Sequence, residues 1–158
     1  MSPSQPEVVY WDSDPFLGYL QQEADKFERC KATLQQAKDG HVLIVTSTLT
    51  LAEVLWMRNA PKIQFEKSVI VRRFFAHSYI RLRAVTRRVA ELAQDLVWHH
   101  DIRPKDAIHV ATALEAEVRT LETFDDGLIK KSGRIGSGSL IIRLPLLAAQ
   151  PELPGFNS

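Results

Sequence analysis

The chain has 158 residues, of which 45% are hydrophobic and 25% charged, with a net charge of +1. This composition suits one globular domain with a substantial core, and it excludes a disordered chain and a partner selected by bulk charge. The single cysteine, Cys30, excludes an intrachain disulfide, no apolar run approaches a membrane span, and residues 1–6 form a polar leader without the features of a signal peptide, so a cytoplasmic location is expected.

Val8-Val9-Tyr10-Trp11 reads as a buried strand that stops at Asp12-Ser13-Asp14-Pro15. Phe16, Leu20, Ala24, Phe27, Cys30, Leu34 and Ala37 then share one face of a single helix, with Gly40 as its stop. His41 to Val45 is a second buried strand, ending in Thr46-Ser47-Thr48. Leu49 to Met57 is helical and carries Glu53; Pro61 breaks it, and Ile63 to His77 is the next amphipathic helix. Tyr79 to Arg83 alternates as a half-exposed edge strand does, with charges that discourage aggregation.

Thr86 caps a helix running to about His100, and His99-His100 suit its negative end. Arg103-Pro104-Lys105-Asp106-Ala107-Ile108-His109-Val110-Ala111-Thr112-Ala113-Leu114 opens another helix. Pro104 is pre-organised for its first position, and small residues line its packed face. Arg119 to Phe124 is a short strand ending at Asp125-Asp126-Gly127; Asp126 reads as a turn residue, and Leu128 to Lys131 as one helical turn. Leu140-Ile141-Ile142 is the last strand. Residues 145–158 form a Pro-containing tail, which leaves residues 7–144 as the domain. Strands alternating with helices imply a three-layer α/β domain whose loops after strands share one edge.

Asp12, Glu53, Asp106 and Asp125 all fall at or near that edge, where sites on open α/β sheets collect. Asp106 alone could simply favour the positive end of its helix, an effect of roughly 0.3–1 kcal/mol. Four ionised carboxylates together need a cation, and hard oxygen ligands select Mg²⁺ or Mn²⁺. Such ions hold a phosphodiester, activate water and neutralise a leaving oxygen. Thr46, Ser47 and Thr123 offer hydroxyls nearby for water or phosphate.

The sequence resembles the PIN-domain ribonucleases, and within them the VapC-type toxins of toxin–antitoxin pairs. Four pieces carry the resemblance: Val-Val-Tyr-Trp-Asp12-Ser, Leu49-Thr-Leu-Ala-Glu53-Val-Leu, the Arg103 to Leu114 run, and Leu121-Glu-Thr123-Phe-Asp125. The resemblance implies a three-layer α/β/α fold with a parallel five-stranded sheet of order 3-2-1-4-5. It also implies Mg²⁺- or Mn²⁺-dependent RNA cleavage, a homodimer and a cognate antitoxin. Asp12, Glu53, Asp106 and Asp125 become the catalytic, metal-holding acids, with Thr123, Ser47 and Asp14 supporting them. Asp14 departs from the usual Asn or Ser. It either assists metal binding or caps the following helix with Pro15 at its first position, and the Asp-Pro pair favours the cap. His109, one turn after Asp106, reads as packing or as a residue behind a ligand.

Six arginines and no acid lie between Arg72 and Arg88. They form either a solvated face or an RNA-phosphate surface, for which Arg72, Arg73, Arg81, Arg83 and Lys105 are the expected contacts. Two other functions fit parts of the pattern. Asp12-Ser-Asp14 also resembles the nucleophile motif of haloacid-dehalogenase-like phosphatases, although Phe16 departs from it and Glu53 and Asp106 are left without a role. A non-catalytic PIN module that binds RNA or protein is the third reading.

Overall fold

A computed structural model describes residues 5–147; the first four residues of the polar leader and most of the Pro-containing tail lie outside the described residues. Five strands form the sheet: β1 (Glu7–Trp11), β2 (Val42–Ser47), β3 (Ile80–Arg83), β4 (Thr120–Glu122) and β5 (Ile141–Arg143). All pairings are parallel, in the order β3-β2-β1-β4-β5. The expected order is therefore found. β1 is central, and β3, with exposed Arg81 and Arg83, is an edge strand.

Side chains alternate across a strand, so each strand feeds two cores. Val9, Trp11 and Ile44 join Phe16, Leu17, Cys30, Leu34 and Phe75 on one face. Tyr10 and Val45 join Val89, Leu96, Ala107, Val110 and Ala111 on the other. The first face is covered by α1 (Ser13–Leu20), α2 (Phe27–Lys38) and α4 (Ser68–Phe75), the second by α5 (Arg87–His100) and α6 (Pro104–Glu115). Two short helices complete the chain, α3 (Leu49–Glu53) and α7 (Asp126–Ile129). Cys30 is buried, and burial pushes its thiol up to about 12, as befits a packing residue.

The single helix expected from Phe16 to Ala37 is two helices. Its apolar repeat continues across the break, but the backbone turns at Gln22, which has a φ of 51°. The turn brings Lys26 against Gly18, where an added Cβ would stand 2.9 Å from Lys26 Cβ. Only glycine allows the chain to double back there. The helix expected over Ile63 to His77 is likewise shorter, a 3-10 turn at Phe65–Lys67 followed by α4. The caps expected at Thr86 and Pro104 are present: Thr86 accepts from Val89 N–H, and Pro104 opens α6. Asp101, with a φ of 53°, ends α5 just beyond His100.

Candidate active site

The four acids reach one edge of the sheet on four different elements. Asp12 follows β1, Glu53 ends α3, Asp106 is the third residue of α6, and Asp125 caps α7. Parallel strands with helical crossovers place these carboxyl-terminal junctions together. Asp12 and Asp125 are N-caps and Asp106 lies in a first turn, so three acids sit at the positive ends of helices.

Hydrogen bonds link these junctions. Thr123 Oγ1 donates to Asp12 Oδ2 at 2.6 Å and accepts from Asp125 N–H at 3.1 Å. Ser13 Oγ donates to Glu53 Oε1 at 2.9 Å, and His109 Nε2 lies 2.6 Å from the same oxygen. Thr123 thus joins the first and last acids. Ser13 and His109, neighbours of Asp12 and Asp106 in the chain, hold the second. The polar hollow beside them is lined by Asp106, Asp125, Arg103 and Lys131.

The electrostatics follow from burial and crowding. Asp12 is 5% exposed, and burial, with the charges of Asp14 and Asp106 adding to it, pushes its carboxyl up to about 7; His109 and the Thr123 hydroxyl pull the other way. Burial also raises Asp106, with Asp125 next in effect, and raises Asp14 against the pull of Lys26. Glu53 is the exception. Burial alone would raise it, but the hydrogen bonds from His109 and Ser13 and nearby positive charge lower it below the usual range.

Several expected placements change. Asp14 is not the helix cap: Asp12 is, accepting from Asp14 N–H at 3.3 Å, with Ser13 the first helical residue and Pro15 the third. Asp14 is instead half-buried among the acids. Asp126 begins α7 rather than a simple turn, because Asp125 Oδ1 accepts from Leu128 N–H. Ser47 accepts from Leu49 N–H at the start of α3, so it supports the helix that carries Glu53. Thr46 is fully buried and donates to the Trp11 carbonyl, which removes it from any substrate.

Sequence reasoning misses Ser13 and Tyr10 as site residues. Ser13 sits between two acids and Tyr10 within a strand that any apolar residue would suit. A further buried acid, Glu122, belongs elsewhere. It accepts from Trp11 Nε1 at 2.8 Å and from Arg143, on the face that Trp11 shares with α1 and α2.

The donor set suits a hard divalent cation by its chemistry: carboxylates, partly buried, raised by burial and by one another. Among the described residues no three His, Cys, Asp or Glu side chains converge closely enough to hold an ion as they stand. Both Asp12 oxygens and one oxygen each of Glu53 and Asp125 accept hydrogen bonds from the protein. Closing on an ion therefore requires side-chain rotation. Both Asp106 oxygens have no hydrogen-bond partner among the described residues, so rotation there breaks no bond, while Glu53 and Asp125 each keep one unpaired oxygen, Oε2 and Oδ2, beside a bonded one.

Fold and site together define a three-layer α/β/α domain with an acidic centre at the carboxyl edge of a 3-2-1-4-5 parallel sheet. The sequence profile of the PIN domain family matches residues 9–133, and the chain belongs to that family. The assignment sets aside the haloacid-dehalogenase-like alternative. No curated protein sequence matches the chain.

Three solved structures share the fold. VapC20 of Mycobacterium tuberculosis, a sarcin–ricin-loop-cleaving toxin, is 17% identical with a TM-score of 0.58, over 75% of this chain and 90% of that one. VapBC2 of Rickettsia felis, bound to a promoter DNA fragment, is 16% identical with a TM-score of 0.59, over 85% and 96%. FitAB bound to the IR36 DNA fragment is 17% identical with a TM-score of 0.56, over 92% and 99%. At these identities the likeness is one of fold.

Proposed function

We propose that this protein is a Mg²⁺- or Mn²⁺-dependent ribonuclease, the toxin of a toxin–antitoxin pair. The observation that carries the reading is the hydrogen-bonded linkage of the acid-bearing junctions through Thr123, Ser13 and His109. A packed domain has no structural use for several raised carboxylates at one edge, since each like charge there destabilises the fold. Asp12, Asp106, Asp125 and Glu53 would hold the ion, with Asp14 beside them. When bound, the ion supplies charge neutralisation at the scissile phosphate and activates water. The protein's own residues orient the carboxylates: Thr123 aligns Asp12, and Ser13 and His109 fix one oxygen of Glu53. Arg103, Lys105 and Lys131 offer positive charge at the rim for RNA phosphates.

Two apolar surfaces support the proposed protein partners. A groove of about 500 Å³ is lined by Leu51, Leu55, Ile63, Phe65, Val71 and Phe75, a form that suits the apolar face of an antitoxin segment. Trp98, 69% exposed, borders a second hollow with Val97, Pro104 and Ile108, which suits a homodimer contact. Among the described residues no helix is long and apolar enough to cross a membrane; a cytoplasmic location belongs to the proposal through its RNA substrate.

The test is cleavage of RNA by the purified protein in Mg²⁺ or Mn²⁺, against chelator and against p-nitrophenyl phosphate. Cleavage of RNA alone, only with metal, and its loss in Glu53→Gln with a native circular dichroism spectrum are expected. Full activity in Glu53→Gln overturns the four-acid site. Binding of RNA without cleavage leaves the non-catalytic module.

A further inference from the structure

Behind the acids lie two buried polar side chains that do not touch the polar hollow. Tyr10 is fully buried and His109 is 2% exposed. The Tyr10 hydroxyl oxygen stands 2.7 Å from His109 Nδ1, and the rings meet edge to face at 5.8 Å. The other ring nitrogen, Nε2, stands 2.6 Å from Glu53 Oε1 and 3.4 Å from Ser13 Oγ. On α6 the other buried positions are Ala107, Val110, Ala111, Ala113 and Thr112, whose hydroxyl donates to the Ile108 carbonyl. An aliphatic residue at 109 would fill this layer at lower cost, because an imidazole needs partners for two nitrogens. Both nitrogens have one.

The hydrogen positions follow from the chemistry of the groups. The ionised carboxylate of Glu53 can only accept, so the 2.6 Å contact with its Oε1 calls for a hydrogen on Nε2. In a neutral ring Nδ1 then accepts, and the Tyr10 hydroxyl 2.7 Å away is the donor that faces it. We propose that Tyr10 and His109 are positioning residues forming a two-link hydrogen-bond relay: Tyr10 supports this tautomer of His109, and His109 holds Glu53 Oε1. Oε2 is left as the unpaired Glu53 oxygen, available to an ion while Oε1 stays held. The relay runs from β1, which leads to Asp12, through α6, which carries Asp106, to α3, which carries Glu53. It therefore sets the spacing of three acid-bearing elements at once. That function rests on the nuclease reading of Glu53; the tautomer does not.

Two measurements test the relay. In the metal-free wild-type protein at pH 8, long-range ¹H–¹⁵N correlation spectra of ¹⁵N-labelled histidine should show the His109 hydrogen on Nε2 and none on Nδ1. A hydrogen on Nδ1 overturns the proposal, and this readout needs no variant to fold. Second, Tyr10→Phe keeps the ring and removes the hydroxyl, and His109→Leu removes the link. Calorimetry should find Mn²⁺ binding weakened about 10–100-fold in each, the usual loss when a residue behind a metal ligand is removed. His109→Gln, which keeps a donor toward Glu53, should recover part of the affinity. Wild-type Mn²⁺ affinity in a folded Tyr10→Phe overturns the positioning role. RNA cleavage by Glu53→Gln would instead fail the nuclease reading of Glu53, while the wild-type tautomer still reports on the relay.

Discussion

Thr123 donates its hydroxyl to Asp12 Oδ2 at 2.6 Å, across the junction where β1 and β4 run side by side. The contact holds the carboxylate that burial strains most. In the metal-free fold Asp12 keeps its proton up to about pH 7, while in the unfolded chain it ionises near 3.8. The folded value is the raised one. Its stabilising contribution is complete below the unfolded value and is lost as pH rises through about 7.

Asp12→Asn tests this directly. Asparagine caps a helix as well as aspartate does, so α1 should keep its cap while the charge is removed. In chelator the wild-type melting temperature should fall between pH 4 and pH 8, and the variant's should fall less. At pH 8 the variant should melt higher than wild type. A variant that melts lower there would show that Asp12 is not strained in the metal-free fold.

The parts of this site that sequence makes legible are those encoded locally. Pro104 announces α6 and thereby puts Asp106 in its first turn. Asp12 and Asp125 each end an apolar run. What escapes the sequence depends on distant partners or on close approach. His109 looks like a packing residue because Tyr10 is 99 residues away and Glu53 is 56 away. The division of α1 from α2 is hidden because the apolar repeat runs straight through it. The reversal comes instead from the close approach of Lys26 to Gly18, which no periodicity records. Asp14 beside Pro15 imitates an N-cap, yet the backbone enters the helix two residues earlier and Asp12 takes that role.

The basic segment divides into paired and unpaired arginines. Arg87 meets Glu91 at 2.7 Å, an exposed pair, and Arg88, itself exposed, meets half-buried Glu115 at 3.2 Å; with both guanidinium groups in solvent neither pair carries much energetic weight. Arg81 and Arg83 have no acidic partner among the described residues and lie on edge strand β3. Arg83 is in register with Ser47 at the same edge of the sheet as the acids. Replacing both with alanine should weaken RNA binding and reduce its salt dependence. The log–log slope should flatten by about 0.7 for each single-strand phosphate that is no longer neutralised. An unchanged slope would make them solvated surface charges.

Asp106 separates a metal site from simple helix capping. Burial raises its carboxyl, and Asp125 raises it further. As with Asp12, the stability from its protonated form is present in acid and is lost as pH rises through the raised folded value. At pH 7.5 the metal-free site is therefore under charge strain, and Asp106→Asn should melt higher than wild type in chelator. Excess Mn²⁺ should stabilise wild type, by about 2.7 kcal/mol at a hundredfold excess over its dissociation constant if only the folded state binds. The variant, with one carboxylate fewer, should gain less. If Asp106 acted only on the positive end of α6, the substitution would lower stability by up to ~1 kcal/mol with or without metal. Paired thermal melts in chelator and in Mn²⁺ distinguish the two. A variant that melts below wild type in chelator, and gains as much from Mn²⁺, removes Asp106 from the metal site.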